Sequence, residues 1–311
     1  KEATGNLNEV QVAAISDLNE KLKDLQKRKD TIIHTISEQG KLTDDLQKRI
    51  IASWNATELE DIYLPYKPHR RTRASVAREQ GLEPLAEIIM AQRESNPEKA
   101  ALRFVKDSVT DVAEAIKGAQ DIIAENINES EGSRKTIRQV FRRDATIASR
   151  VISKMKDEDG AQKYSDYFFF SEELRHCSSH RLLAIRRGES EGILRINITV
   201  DDDECMDRLK RHYVHGYGPC QSLVSEAVED SYKRLLRPSI ENEFATSSKE
   251  LADDEAIKVF GENLRQLLLA PPLGQKRVMG VDPGIRTGCK VVALDAQGNL
   301  LYHGVVFAVG R

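Results

Sequence analysis

The sequence predicts a mainly α protein: a multi-helical body with one short strand near 192–200, ending in the first β-strands of an α/β domain. Three observations predict it. Charged residues make up 31% of the 311 positions and aromatics only 5%, which favours well-solvated helices over a sandwich or barrel. Apolar residues recur at helical spacing through most of the chain. After Lys276, short β-branched runs separated by Gly, Asn and Pro read as a strand meander.

The elements follow in order. Residues 8–39 form one long helix, with Leu18, Leu22, Leu25, Ile32 and Ile36 on a coiled-coil-like seam that carries Lys29 at one position. Gly40 ends it, and Thr43 caps a second helix whose first turn holds Asp44 and Asp45. The short loop makes the pair an antiparallel hairpin. Thr57 and Glu58–Glu60 have the capping-box form. Pro65 and Pro68 then push Leu64 and Lys67 into extended conformations, so 63–68 is a stiff connector. Helix resumes from Gly81, with a second capping box at Ser95–Glu98. Ser133 opens a basic helix that runs on to about Lys156. The alternation in 192–200 is a strand, and Asp201–Glu204 precede a helix. A further helix ends before Pro238, and a last one covers about 239–269. Its apolar residues change sides near Ala252, so it bends there or packs on two neighbours, and Pro271-Pro272 stops it. The resulting division is a 1–62 helical hairpin, a 63–238 central helical region, a 239–275 connecting helix and 276–311 as the start of a further domain.

Composition excludes several classes. No apolar run approaches the ~20 residues of a membrane span, and residues 1–10 lack a signal-peptide core, so a cytoplasmic location is expected. The absence of an initial Met suggests a piece of a longer protein. Net charge is −3, so any nucleic-acid affinity must come from local basic patches. Four scattered cysteines with no CxxC pair read as reduced thiols. His176, Cys177, His180, Cys205, His212 and His215 include zinc-ligand types, but at spacings that match no zinc module, so no metal site is expected.

Two basic runs are the candidate binding residues. One follows the stiff connector: Lys67, Arg70, Arg71, Arg73 and Arg78. The other lies on the basic helix: Arg134, Lys135, Arg138, Arg142 and Arg143. Lys and Arg on one surface neutralise phosphates with salt-dependent, sequence-independent affinity. On the helix, a solvated face paired with acids elsewhere is an equal alternative. Tyr167–Phe170 could stack on bases, though a core cluster suits this aromatic-poor chain better. Asp282 ends the first late strand and is the one catalytic candidate, and Asp295 reads as a turn residue. The Asp282-Pro283-Gly284 turn also has the form of a phosphate-approaching hairpin, but a plain tight turn explains it equally.

Four stretches carry a family resemblance. LEDIYLPYKPHRRTRASVAREQGLEPLA (59–86), DYFFFSEEL (166–174), SHRLLAIRRGESEGILR (179–195) and EAIKVFGENLRQLLLAPPLGQKRVMGVDPGIRTGCKVV (255–292) resemble the Tex family of bacterial transcription accessory proteins. The final VVFAVGR departs from the family pattern. The resemblance implies a helix-turn-helix-like part within 63–238, a long connecting helix and the start of a YqgF-type, ribonuclease-H-like domain, with an RNA-binding OB-fold domain beyond. It makes Asp282 the match for the first-strand metal carboxylate of ribonuclease-H-like nucleases. A two-metal site needs several converging carboxylates. The present chain is therefore expected not to cleave nucleic acid and to need no cofactor, with Mg²⁺ or Mn²⁺ only if a complete domain is active. The implied function is a nucleic-acid-binding transcription scaffold with RNA or DNA as partner. The alternatives are a metal-dependent nuclease, and an interaction module for RNA polymerase or the ribosome.

Overall fold

A computed structural model describes residues 7–68, 71–106, 108–158, 160–284 and 288–307. The chain divides into two compact units, Lys1–Asp253 and Asp254–Arg311. It is mainly α among the described residues, with two three-stranded antiparallel sheets.

The first unit opens with α1 (Glu9–Glu38), α2 (Asp44–Ala52) and α3 (Ala56–Tyr63). Asn8 caps α1 through a capping box with Gln11, and Gly40 takes the left-handed φ of +67° that reverses the chain. Thr43 caps α2 by accepting from the Leu46 N–H, as its sequence predicts. The cap of α3 is instead Asn55, which accepts from Thr57 and Glu58 N–H, two residues before the expected Thr57. Ile32, Ile36, Leu46, Ile50, Leu59, Ile62 and Tyr63 form a small core of their own. Lys29, at its seam position, is buried: its Nζ donates to Ile51 O at 2.8 Å and lies 3.9 Å from the Trp54 ring centroid. The seam residues Leu18 and Leu22 are exposed.

After α3 the chain tightens into a 3₁₀ turn over Leu64–Tyr66 with Pro65 at its start. Leu64 is helical (φ −52°, ψ −44°), contrary to the extended expectation: it closes α3, its N–H donating to Asp61 O, and opens the 3₁₀ turn, in whose first turn Pro65 is tolerated. Lys67, ahead of Pro68, is extended (ψ 130°) as predicted.

The larger core gathers α4 (Arg73–Glu79), α5 (Glu83–Ala91), α6 (Pro97–Ala101), α7 (Val112–Glu129), α8 (Glu131–Asp144), α10 (Asp202–Tyr213) and α11 (Pro219–Asp230) around Ile122, Ile123, Ile137, Phe141, Val228 and Tyr232. Ser130 caps α8. This helix ends at Asp144, not near Lys156: Thr146–Val151 is strand β1. Ile147 and Ser149 alternate inward there, a period-2 burial masked in sequence by the basic residues around it. β1 is the centre of a sheet with β2 (Phe169–Glu173) and β3 (Leu194–Thr199), both antiparallel to it. Only β3 was expected from alternation. Against the sheet pack Tyr164 and Phe168 with Ile185 of α9 (Ser179–Ser190), so most of the aromatic run serves a core; Phe169 stays exposed.

α11 does not stop before Pro238. It passes through a π-turn over Ser231–Leu236 directly into α12 (Arg237–Leu269), with Pro238 in its first turn. A proline removes one helical donor and crowds the carbonyl four residues back, and the wider π-turn just before it relieves both. The π-turn buries Tyr232, whose hydroxyl donates to Asp202 Oδ1 at 2.7 Å. Ile240 and Phe244 of α12 pack on the core, Phe244 lying 5.3 Å from the Phe141 ring. Ala252 is the last buried residue of the helix.

The second unit holds the end of α12 and an antiparallel meander of β4 (Val278–Asp282), β5 (Cys289–Leu294) and β6 (Leu300–Val306) in that order. Ile257, Phe260, Leu267 and Leu268 are exposed, as are Met279, Val281 and Tyr302.

Candidate nucleic-acid interface

The structure sorts nine of the ten basic candidates into three groups. Arg134 and Arg138 are inside the protein, each 7% exposed. They stand one turn apart on the same face of α8 as Ile137 and Phe141, so burying that face buries them. Asp61 of α3 meets both: Arg134 Nε donates to its Oδ1 at 2.8 Å, Arg138 Nη2 to the same oxygen at 2.9 Å, and Arg138 Nη1 to Oδ2. Glu243 of α12 receives Arg138 Nε at 2.7 and 2.9 Å, and Ser239 receives Arg134 Nη2 at 3.1 Å. Burial pulls the Arg138 proton affinity down, but the Asp61 and Glu243 carboxylates more than offset it. These two arginines clamp α3, α8 and α12 together and are corrected from surface to structural positions.

Arg78 and Arg143 are also committed to carboxylates. Arg78 pairs with Glu125 and donates to Asn126 at 2.8 Å. Arg143 reaches Asp144 at 2.7 Å and Glu204 at 2.8 Å, which raise its affinity for the proton. Arg73 is exposed, in the field of Asp121 and Asp230.

The remaining cations face water. Lys67, Lys135 and Arg142 are exposed, and among the described residues Arg71 has only a loose 3.7 Å contact with Glu79. Arg70 lies outside the described residues. Lys135, Gln139 and Arg142 fall at i, i+4 and i+7, so they share the solvent crest of α8 opposite its buried face. A cleft of about 470 Å³ borders that crest toward α2 and α3, where Arg49 stands bound to Glu131 at 2.6 Å. A second cleft, about 430 Å³, borders it toward α10 and holds Arg208, Arg211 and His212. Arg49 and Arg211 were not among the sequence candidates, since only the packing of α2 and α10 beside α8 brings them to its flanks.

Asp282 ends β4 with its side chain 76% exposed and Lys290 3.9 Å away. No group of three or more His, Cys, Asp or Glu placed to hold a metal occurs among the described residues. Cys177 and Cys205 are far from thiolates: burial pushes each thiol up to about 11. Asp295 serves its turn, accepting from Gln297 and Asn299 N–H at 2.9 and 2.8 Å. No helix among the described residues is long and apolar enough to cross a membrane.

Comparison with known proteins agrees with this architecture. The family description "Tex central region-like" matches residues 92–260, and "Tex protein YqgF-like domain" matches 276–311. Similar proteins include "Protein YhgF" of Escherichia coli, 39% identical over 321 residues, and "Transcriptional accessory protein Tex" of Neisseria gonorrhoeae, 36% identical over 313; each alignment covers 99% of this chain and 41% of the relative. The human "S1 RNA-binding domain-containing protein 1" is 30% identical over 322 residues, with 99% of this chain and 32% of the relative covered. The chain thus spans about two fifths of the length of the bacterial relatives it matches. On the extent of the central-region match, which covers more than half of its residues, this chain belongs to the Tex family.

Proposed function

We propose that this chain is a nucleic-acid-binding scaffold of a transcription accessory protein, holding RNA or DNA by its phosphates and carrying no hydrolytic step of its own. The observation that carries the reading is the set of exposed cations, Lys67, Lys135 and Arg142, that have no carboxylate partner among the described residues. A surface charge left unpaired in a chain of net charge −3 is free to replace the counterions of a phosphate backbone. The relatives' names, one for transcription and one for RNA binding, support the same reading. As for hydrolysis, among the described residues Asp282 has a lysine rather than carboxylates beside it, which suits a strand end better than one half of a two-metal site.

Fluorescence anisotropy with labelled single-stranded and duplex oligonucleotides tests the proposal. Binding at low salt that weakens as salt rises is expected, with probes left intact in Mg²⁺ or Mn²⁺ by both the parent and Asp282→Asn. No binding at low salt would overturn the scaffold reading. Cleavage that Asp282→Asn abolishes would replace it with the nuclease one.

A further inference from the structure

The two clefts that border α8 have one residue in common, Gln139. It stands between Lys135 and Arg142 on the crest, so the clefts are the two flanks of a single ridge. The flanks are unequal in charge. On the α10 side, the lining residues include Arg208, Arg211 and His212 and no carboxylate among the described residues. Arg208 is bound to Glu204 at 2.8 Å, but among the described residues Arg211 donates only to the backbone oxygen of Asp207, at 3.3 Å. On the α2 side, Glu131 is neutralised by Arg49 and Asp61 by the buried arginines, which leaves Glu58 facing Lys135 and Arg142. Along the ridge, Lys135, Arg142 and Arg211 therefore outweigh Glu58, and the net unbalanced charge is positive.

We infer that the α8 ridge and its two flanks form one phosphodiester-binding saddle, with Lys135, Arg142 and Arg211 as its phosphate contacts and the Gln139 amide as a neutral hydrogen-bonding group at its centre. The inference rests on the nucleic-acid reading above and locates it on α8 and α10, away from the 67–78 segment. A phosphodiester fits better than an acidic peptide because the contacts lie on both sides of a convex helix. A chain of regularly spaced charges can cross such a ridge and engage both flanks. The buried Asp61 clamp holds α8 against α3 and α12, so the crest is rigid and the contacts are preorganised.

The test is binding of the 311-residue chain to a labelled 20-nucleotide single strand and a 20-base-pair duplex. Lys135→Ala/Arg142→Ala/Arg211→Ala is compared with a charge-matched control, Lys21→Ala/Lys23→Ala/Lys41→Ala, whose lysines are exposed on and after α1. For whichever probe the parent binds more tightly, the α8–α10 triple is expected to raise Kd on the order of 100-fold near 0.1 M salt and to lower the salt slope by about 2 to 3, while the control changes neither much. Gln139→Glu, a single exposed substitution that sets a carboxylate between the flanks, should weaken binding on the order of 10-fold. Circular dichroism identical to the parent accompanies each comparison. A parent that binds while the triple and Gln139→Glu bind equally well overturns the saddle and leaves the scaffold reading standing; a parent that binds neither probe overturns both. Competition by poly-glutamate as effective as by unlabelled oligonucleotide would also overturn it, in favour of an acidic protein partner.

Discussion

Asp61→Ala is the substitution that reaches furthest into this structure. It deletes one carboxylate and strands two guanidinium groups, each less than a tenth exposed. Their remaining partners are unequal. Arg138 keeps Glu243 at 2.7 Å, whereas Arg134 keeps Ser239 at 3.1 Å and a distant 3.9 Å approach to Glu243. Removing one partner of a buried ion pair costs about 3–5 kcal/mol, chiefly because the other charge is left desolvated and unpaired. Arg134 is the group that suffers most. With a urea slope of about 1–3 kcal/mol/M, the unfolding midpoint should fall by at least about 1 M. Trp54, the only tryptophan, sits beside α3 and reports the transition by fluorescence, with far-ultraviolet circular dichroism as a second probe. The companion variant Asp61→Ala/Arg134→Met/Arg138→Met removes the stranded charges and should recover most of the loss, since Glu243 is already 27% exposed by side chain and can turn to water. A loss below about 1 kcal/mol in Asp61→Ala, or no recovery in the triple, would refute the clamp.

Two further substitutions probe packing and charge. Gly118→Ala would drive a methyl group into Leu82 Cδ1 and to 3.3 Å from Ala77 Cβ, both in the closed core, so a loss of about 1–3 kcal/mol in urea unfolding is expected; a neutral effect would mean that α4 and α7 can separate. Asp230 is held below the usual carboxylate range mainly by Arg234, bound at 2.5 Å, against the opposing pull of burial. A depressed folded-state value means stability that is present above the unfolded value and lost as pH falls through the folded one. Asp230→Asn should therefore be less stable than the parent by about 1 kcal/mol at pH 6, with the gap narrowing as pH falls below about 4; a gap that does not narrow as pH falls through the acid range would contradict the assignment.

Local signals carried the sequence reading as far as local physics reaches. The Gly40 reversal, the Thr43 cap, the helix start at Asp201–Glu204 and the late β-meander are written in neighbouring residues, and the structure has them where capping and turn signals put them; of the α1 seam, Ile32 and Ile36 are buried while Leu18 and Leu22 are exposed. Features set by distant partners were not legible. Arg134 and Arg138 look like any solvated basic pair until Asp61, more than seventy residues away, folds onto them. β1 follows a helix with no glycine or proline between them, so only its pairing with β2 and β3 distinguishes it. The π-turn before Pro238 carries Tyr232 to Asp202, a contact made across 30 residues. For the candidate interface, the sequence showed that α8 was basic but not which of its cations faced water.

The central claim is that this chain holds nucleic acid through its phosphates, and the slope of log Kd against log salt concentration tests it most directly. Three contacts on the α8 saddle, with any made by Lys67 and Arg71, predict that Kd rises with salt with a slope of at least about 2 to 3, for oligonucleotides of unrelated sequence alike. Binding that ignores salt between about 50 and 200 mM, or that is absent at the lower end, would contradict the account.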